Sequence, residues 1–183
     1  MDIKAKAAVL GVPTIALVVA GLFTIGYIIT LLLGLPFDLG FPLVLRGLGG
    51  VVVLGGLAIM GWVFKRRGIS GVLVSTYVTF TKMAGRAPME ERSGRVEPLV
   101  ITGPYRYVRH PLYFGVVVMV LGWGLLTAYS FVLLSTVIIF FWFALVVARF
   151  EEIELRALFG QQYKDYSNEV PMMIPFVKLK KWK

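Results

Sequence analysis

Cysteine is absent from this chain, and histidine occurs once among 183 residues. The first absence excludes disulfides, thiolate nucleophiles and cysteine metal sites. The second leaves a zinc ion only carboxylates and water beside one imidazole, a set zinc rarely accepts, so no metal site is expected. Charge is also scarce. Charged residues make up 16% of the chain and apolar ones 58%, with mean hydropathy +0.81; soluble domains have about 25% and about 45–50%. Such a chain belongs in a bilayer, and its length leaves little room for a separate soluble catalytic domain.

The 19 Lys and Arg residues outnumber the 10 acidic ones, for a net charge of +9. These cations lie where the apolar runs end, which marks them as topology signals and contacts to anionic lipid headgroups. Too little polar surface remains for phosphate contacts, so nucleic acid is not an expected partner.

Four runs are long and apolar enough to span, at about 20 residues each. They cover approximately residues 9–33, 43–64, 111–126 and 131–150. The expected fold is all-α: a single polytopic membrane bundle over residues 1–183, with a loop at 65–110 and a tail at 151–183 forming the site. The run from Ala7 to Leu33 is longer than the about 7–15 residues of a signal-peptide core, so it reads as a retained span. Pro13 falls in its first turn, where a missing N–H costs little. The glycines of the second run offer surfaces for close helix approach. Lys65-Arg66-Arg67 ends that run, residues 71–84 read as an interfacial helix or a kinked continuation, and Gly160 stands where a cap would close the last helix.

Lys and Arg crowd the 65–109 loop and the tail, whereas the 34–42 and 127–130 turns have none. The positive-inside bias therefore puts both termini and the long loop in the cytosol, the cell membrane being the location in a prokaryote. That parity brings two polar clusters to one face. The first runs from Gly103 to Tyr113 and holds Arg106, Arg109 and His110 among three tyrosines and two prolines; the second is Glu151-Glu152 with Glu154. Polar groups at a membrane edge are costly to leave unpaired. Arginine, histidine and phenols opposite carboxylates suit a zwitterionic ligand, although such residues at helix ends also snorkel and pair with one another.

The segment Leu99-Val100-Ile101-Thr102-Gly103-Pro104-Tyr105, the Arg109-His110-Pro111-x-Tyr113 core and the downstream Glu151-Glu152 resemble the isoprenylcysteine carboxyl methyltransferases and related membrane methyltransferases. The likeness continues through residues 159–166 and 170–176, covering about half the chain. It implies transfer of a methyl group from S-adenosyl-L-methionine to a lipophilic acceptor that arrives through the bilayer. Carried over by position, cofactor contacts fall on Glu90, Glu97, Pro98, Leu99, Val100, Tyr105, His110, Pro111, Leu112, Tyr113 and Glu151. Arg109 and Glu151 become the candidate catalytic residues, and Arg149 and Glu152 the candidate acceptor contacts. One departure stands out. The prenylcysteine enzymes have an arginine four residues before the carboxylate matching Glu151, where this chain has Val147, and Arg149 lies about 200° around the helix from it. A nicotinamide-dependent sterol or steroid reductase, with a similar Arg-His-Pro-x-Tyr region, is the alternative enzyme; a non-enzymatic membrane component of the same fold is the other.

Overall fold

The computed structural model describes residues 2–85 and 98–176, and among them every regular element is a helix. Helix α1 covers Ile3–Leu32 and begins earlier than the apolar run suggests. Pro13 therefore lies inside it rather than in its first turn. A proline there clashes with the carbonyl four residues back, and the chain accommodates it with a widened π turn at Ala7–Gly11 immediately before. Helix α2 covers Leu43–Arg67, so the basic triplet forms its last turn instead of following it. Cations there complement the carbonyl end of the helix dipole. Gly68, at φ 71°, ends the helix in a conformation that L side chains resist.

Helix α3 covers Ile69–Met83 and is separate from α2, not a continuation of it. Its Val74 and Val78 pack with Ala7, Ile3 and Tyr77, tying it to the start of α1. Helix α4 covers Pro111–Thr127, with Pro111 at its first position, where no N–H is needed. Helix α5 covers Ser130–Glu169. At 1.5 Å per residue its 40 residues far exceed the about 30 Å bilayer core, so its second half extends beyond the membrane. Gly160 does not cap it. At φ 54°, ψ −123° it kinks the helix, and the chain continues helically to Glu169.

Helix α1 packs on α5, α5 on α4, and α4 on α2. The α2–α4 seam is closed by glycines. Gly49 and Gly56 of α2 face Gly122 and Gly115 of α4 so closely that a Cβ on Gly56 would sit 2.6 Å from the Met119 nitrogen. Three helices, α1, α2 and α5, are long and apolar enough to cross a bilayer; α4 is apolar but has 17 residues, at the short limit. Only 17% and 11% of the most apolar stretches of α1 and α2 are buried, so most of those side chains meet lipid.

The two lysine- and arginine-free turns meet at one end. The Leu39 N–H donates to the Ala128 carbonyl, the Ser130 N–H donates to the Phe37 carbonyl, and Arg46 pairs with Asp38 at 3.3 Å. The loop before α4 and the second half of α5 meet at the other end, where the site lies.

Candidate functional site

The segment preceding α4 is fixed through its backbone. A 3-10 turn at Gly103–Arg106 carries Tyr105 inward, and the Tyr166 hydroxyl donates to the Tyr105 carbonyl at 2.7 Å. Past Glu169 the chain folds back, so that the Arg109 N–H donates to the Pro171 carbonyl at 2.9 Å and the His110 N–H to the Met172 carbonyl at 3.0 Å. Met173 then buries itself against Tyr113, Ala144, Val147 and Ala148. The apolar, proline-broken tail is thus a strap over the Arg-His-Pro segment.

The extension of α5 supplies the acids. Glu151, Glu152 and Glu154 are all buried. His110 sits between two of them, with Nδ1 3.1 Å from Glu151 and Nε2 3.6 Å from Glu152, the latter an ion-pair distance and too long for a hydrogen bond. Arg109 reaches Glu152 at 2.8 Å and donates to the Ser167 carbonyl at 3.4 Å, while Arg156 approaches Glu152 from outside at 3.5 Å. Glu154 pairs with Lys82 of α3 at 2.9 Å, and the Thr79 hydroxyl lies 3.4 Å from both Glu151 and Glu154. Three carboxylates therefore meet three kinds of cation in a region largely closed to water.

Electrostatics follow from this arrangement. Burial alone would lower the His110 pKa, but hydrogen bonding to Glu151 and the neighbouring Glu152 carboxylate outweigh it and hold the ring above its ordinary value. Burial would raise Glu152, yet His110 and then the Arg109 charge keep it below the usual carboxylate range. Burial pushes the phenols of Tyr163 and Tyr166 up, so both stay neutral donors. The charged imidazole is favoured by the fold, so its stabilisation is complete below the usual histidine range and fades as pH rises through its elevated value. The Glu152 contribution is complete above the usual glutamate range and fades as acid titrates it. Thermal unfolding in detergent is expected to show both limbs, with His110→Gln flattening the alkaline one. An alkaline limb unchanged in that variant would remove the assignment.

Against this corner lies a cavity of about 300 Å³. Pro98, Leu99 and Val100 form one edge of it. Tyr105, Arg109 and His110 follow, then Pro111, Leu112 and Tyr113, with Glu151 opposite. The sequence-derived contacts are thus brought together, with four exceptions. Glu90 and Glu97 lie outside the described residues. Arg149 is exposed and does not line the cavity, as its helical phase requires once Val147 is buried. Glu152 stands behind the wall, holding Arg109 and His110.

Sequence reasoning missed the wall supplied by α3, where Ser70, Ser75 and Thr76 line the cavity, and the contribution of Ile3 and Lys4. It also missed Tyr163 and Tyr166, which the Gly160 kink turns back toward the site. Hydroxyls recurring within an otherwise apolar stretch were the available signal for α3; phenols three residues apart were the signal for α5.

Comparison with known proteins agrees with this architecture. A methanethiol S-methyltransferase of Crocosphaera subtropica is 32% identical over 130 residues, 70% of this chain and 48% of that protein. The protein-S-isoprenylcysteine O-methyltransferase of Mus musculus is 37% identical over 87 residues, 44% of this chain and 28% of that protein. The protein-S-isoprenylcysteine O-methyltransferase B of Arabidopsis thaliana is 37% identical over 86 residues, 43% of this chain and 40% of that protein. The chain thus spans less than half the length of each of these relatives. No solved structure matches it at comparable stringency. The family model described as phospholipid methyltransferase matches residues 45–162, from the start of α2 through the Gly160 kink, and so takes in most of the site. An integral membrane bundle with this match belongs to the phospholipid methyltransferase family.

Proposed function

We propose that the protein transfers a methyl group from S-adenosyl-L-methionine to a lipophilic acceptor entering from the bilayer. The observation that carries this reading is the buried corner where Arg109, His110, Glu151 and Glu152 compensate one another at the edge of the cavity. Its volume falls at the small end of the about 300–1,000 Å³ typical of small-molecule sites. The methyl donor is zwitterionic at one end, cationic at sulfur and aromatic at its base. Arg109 and Tyr163 offer hydrogen-bond donors, Glu151 an acceptor for an ammonium or ribose hydroxyl, and Tyr105 an aromatic ring that attracts a cation. The residues present fit that group.

When bound, the donor supplies an electrophilic methyl on a sulfonium whose charge vanishes on transfer. The chain's task is then to orient the reactants and exclude water, which can lower such a barrier by about 7–11 kcal/mol. Arg109 is assigned to the carboxylate end or the acceptor. Glu152 positions Arg109 and His110. A carboxylate acceptor needs no base, whereas a thiol or hydroxyl would pass its proton to the Glu151 carboxylate, because the fold favours His110 beside it in the charged form.

Relatives named for methanethiol and for isoprenylcysteine bracket the acceptor between a small thiol and a lipid acid. Val147 is buried among Tyr113, Ala144 and Met173, so no cation stands where the prenylcysteine enzymes carry arginine, which supports an acceptor without a carboxylate there. The named relatives are methyltransferases, which favours this reading over the nicotinamide reductase. The cation distribution supports a cytosolic site with both termini on that side, four spans near 9–33, 43–64, 111–126 and 131–150, and the basic tail on anionic lipid. Arg46, at the opposite end, is matched by Asp38.

Calorimetric titration of the purified protein tests the reading. S-adenosylhomocysteine is expected to bind and NADPH not to; the reverse would sink it. Arg109→Ala and Glu151→Ala are each expected to weaken binding about tenfold or more, roughly 1.4 kcal/mol. Labelled donor incubated with a native lipid extract would then identify the acceptor.

A further inference from the structure

Tyr163 is fully buried, lines the cavity, and its hydroxyl has no hydrogen-bond partner among the described residues. Tyr166, three residues on, makes a clear contrast. Its hydroxyl is committed to the Tyr105 carbonyl. A buried hydroxyl left unbonded costs about 1–3 kcal/mol, and a phenylalanine would fill the same space without that cost. Phe159, one turn earlier and also lining the cavity, shows that the chain uses phenylalanine in this wall.

The orphan is not alone. Arg109 spends its terminal nitrogens on Glu152 and the Ser167 carbonyl, but its Nε is buried without a partner among the described residues. Ser167 lies four residues beyond Tyr163, so Arg109 reaches the helical turn that follows the phenol. The Arg109 charge is indeed among those that act on the Tyr163 hydroxyl. Both residues line one cavity and neither donor has an acceptor among the described residues, which calls for an atom bearing lone pairs. Glu152 Oε1 lies 2.8 Å from a terminal nitrogen of Arg109 and Glu151 Oε2 3.1 Å from His110 Nδ1, so a ligand atom would complete the two donors.

We propose that Tyr163 is a ligand-contacting residue whose hydroxyl, together with Arg109 Nε, receives the carboxylate at the amino-acid end of the methyl donor. The assignment rests on the methyl-donor reading above and extends it to a residue outside the Arg-His-Pro and Glu-Glu clusters. The carboxylate is that donor's one anionic group. Gly160 is what makes the contact available, because the kink returns the following turn to the site.

Tyr163→Phe in the full chain removes only the hydroxyl. Two probes are titrated: S-adenosylhomocysteine, and 5′-methylthioadenosine, which keeps the nucleoside and thioether but lacks the amino-acid end. The expected result is about tenfold weaker binding of the first, less than a twofold change for the second, and a melting temperature no lower than that of the unaltered protein. Unchanged binding of S-adenosylhomocysteine by Tyr163→Phe overturns the proposal. So does an equal loss for both probes, which would mean a general disturbance of the wall or a contact to the nucleoside. A lowered melting temperature also counts against it, because the hydroxyl would then serve the fold. Failure of the unaltered protein to bind S-adenosylhomocysteine would instead remove the underlying methyl-donor reading.

Discussion

Replacing Lys82 with methionine is expected to cost about 3–5 kcal/mol, one of the largest losses from any single substitution in this protein. The Lys82 ammonium and the Glu154 carboxylate are 2.9 Å apart, and neither side chain is exposed at all. Removing one partner leaves the other charge buried without its principal compensation, and that penalty far exceeds the net worth of the pair. Replacing both with apolar residues of similar volume, as in Lys82→Met with Glu154→Leu, should recover most of the loss. The single variant should also weaken ligand binding, since the Thr79 hydroxyl lies equally close to Glu154 and to Glu151. Denaturation in detergent for the single and double variants measures the coupling directly. A Lys82→Met protein as stable as the parent would show that water reaches the pair.

Gly122→Leu should be comparably damaging, for a steric reason. A Cβ on Gly122 would lie 2.5 Å from the Val53 nitrogen and 2.7 Å from the Gly49 carbonyl oxygen, and these are backbone atoms that no rotamer change can move. Overpacking ordinarily costs about 1–3 kcal/mol, and a collision between two helix backbones belongs at or above the top of that range. Gly56→Val should behave alike, with the Met119 nitrogen and Gly115 carbonyl in the way. Controls lie on the same helix. Gly47, Gly50, Gly55 and Gly61 have nothing within 4 Å of an added Cβ. Alanine at those positions should be neutral or stabilising by up to about 1 kcal/mol through helix propensity. Melting temperatures falling equally for both sets would refute the seam.

The sequence carried the meeting of Arg109 and His110 with the Glu151-Glu152 pair, because two apolar runs joined by a four-residue turn return the chain to the face it left. Arg149 was misassigned as an acceptor contact, although its helical phase against Val147 already turned it outward. The sequence did not carry the Lys82–Glu154 pair, since partners 72 residues apart leave no local pattern, and α3 mixes hydroxyls with valines in no clean period. Gly160 misled for a simpler reason: a glycine that caps a helix and one that kinks it are written alike, and the difference lies in what the following turn can pack against. Pro13 likewise gave no sign of the π turn that accommodates it, because that depends on where the helix begins. The packing seam of α2 was half legible. Its glycines announced close approach, but which of the six were used depended on the face α4 presents.

The strap formed by residues 170–173 bears on biogenesis. Its carbonyls hold the Arg109 and His110 amides, while Ile3 and Lys4 at the opposite extremity wall the same cavity as Tyr166. Contacts of such wide sequence separation form late. A nascent chain with its early helices already inserted would have no closed cavity until residues 170–173 have been made and folded back. Closure of the cavity therefore waits on the segment that follows α5.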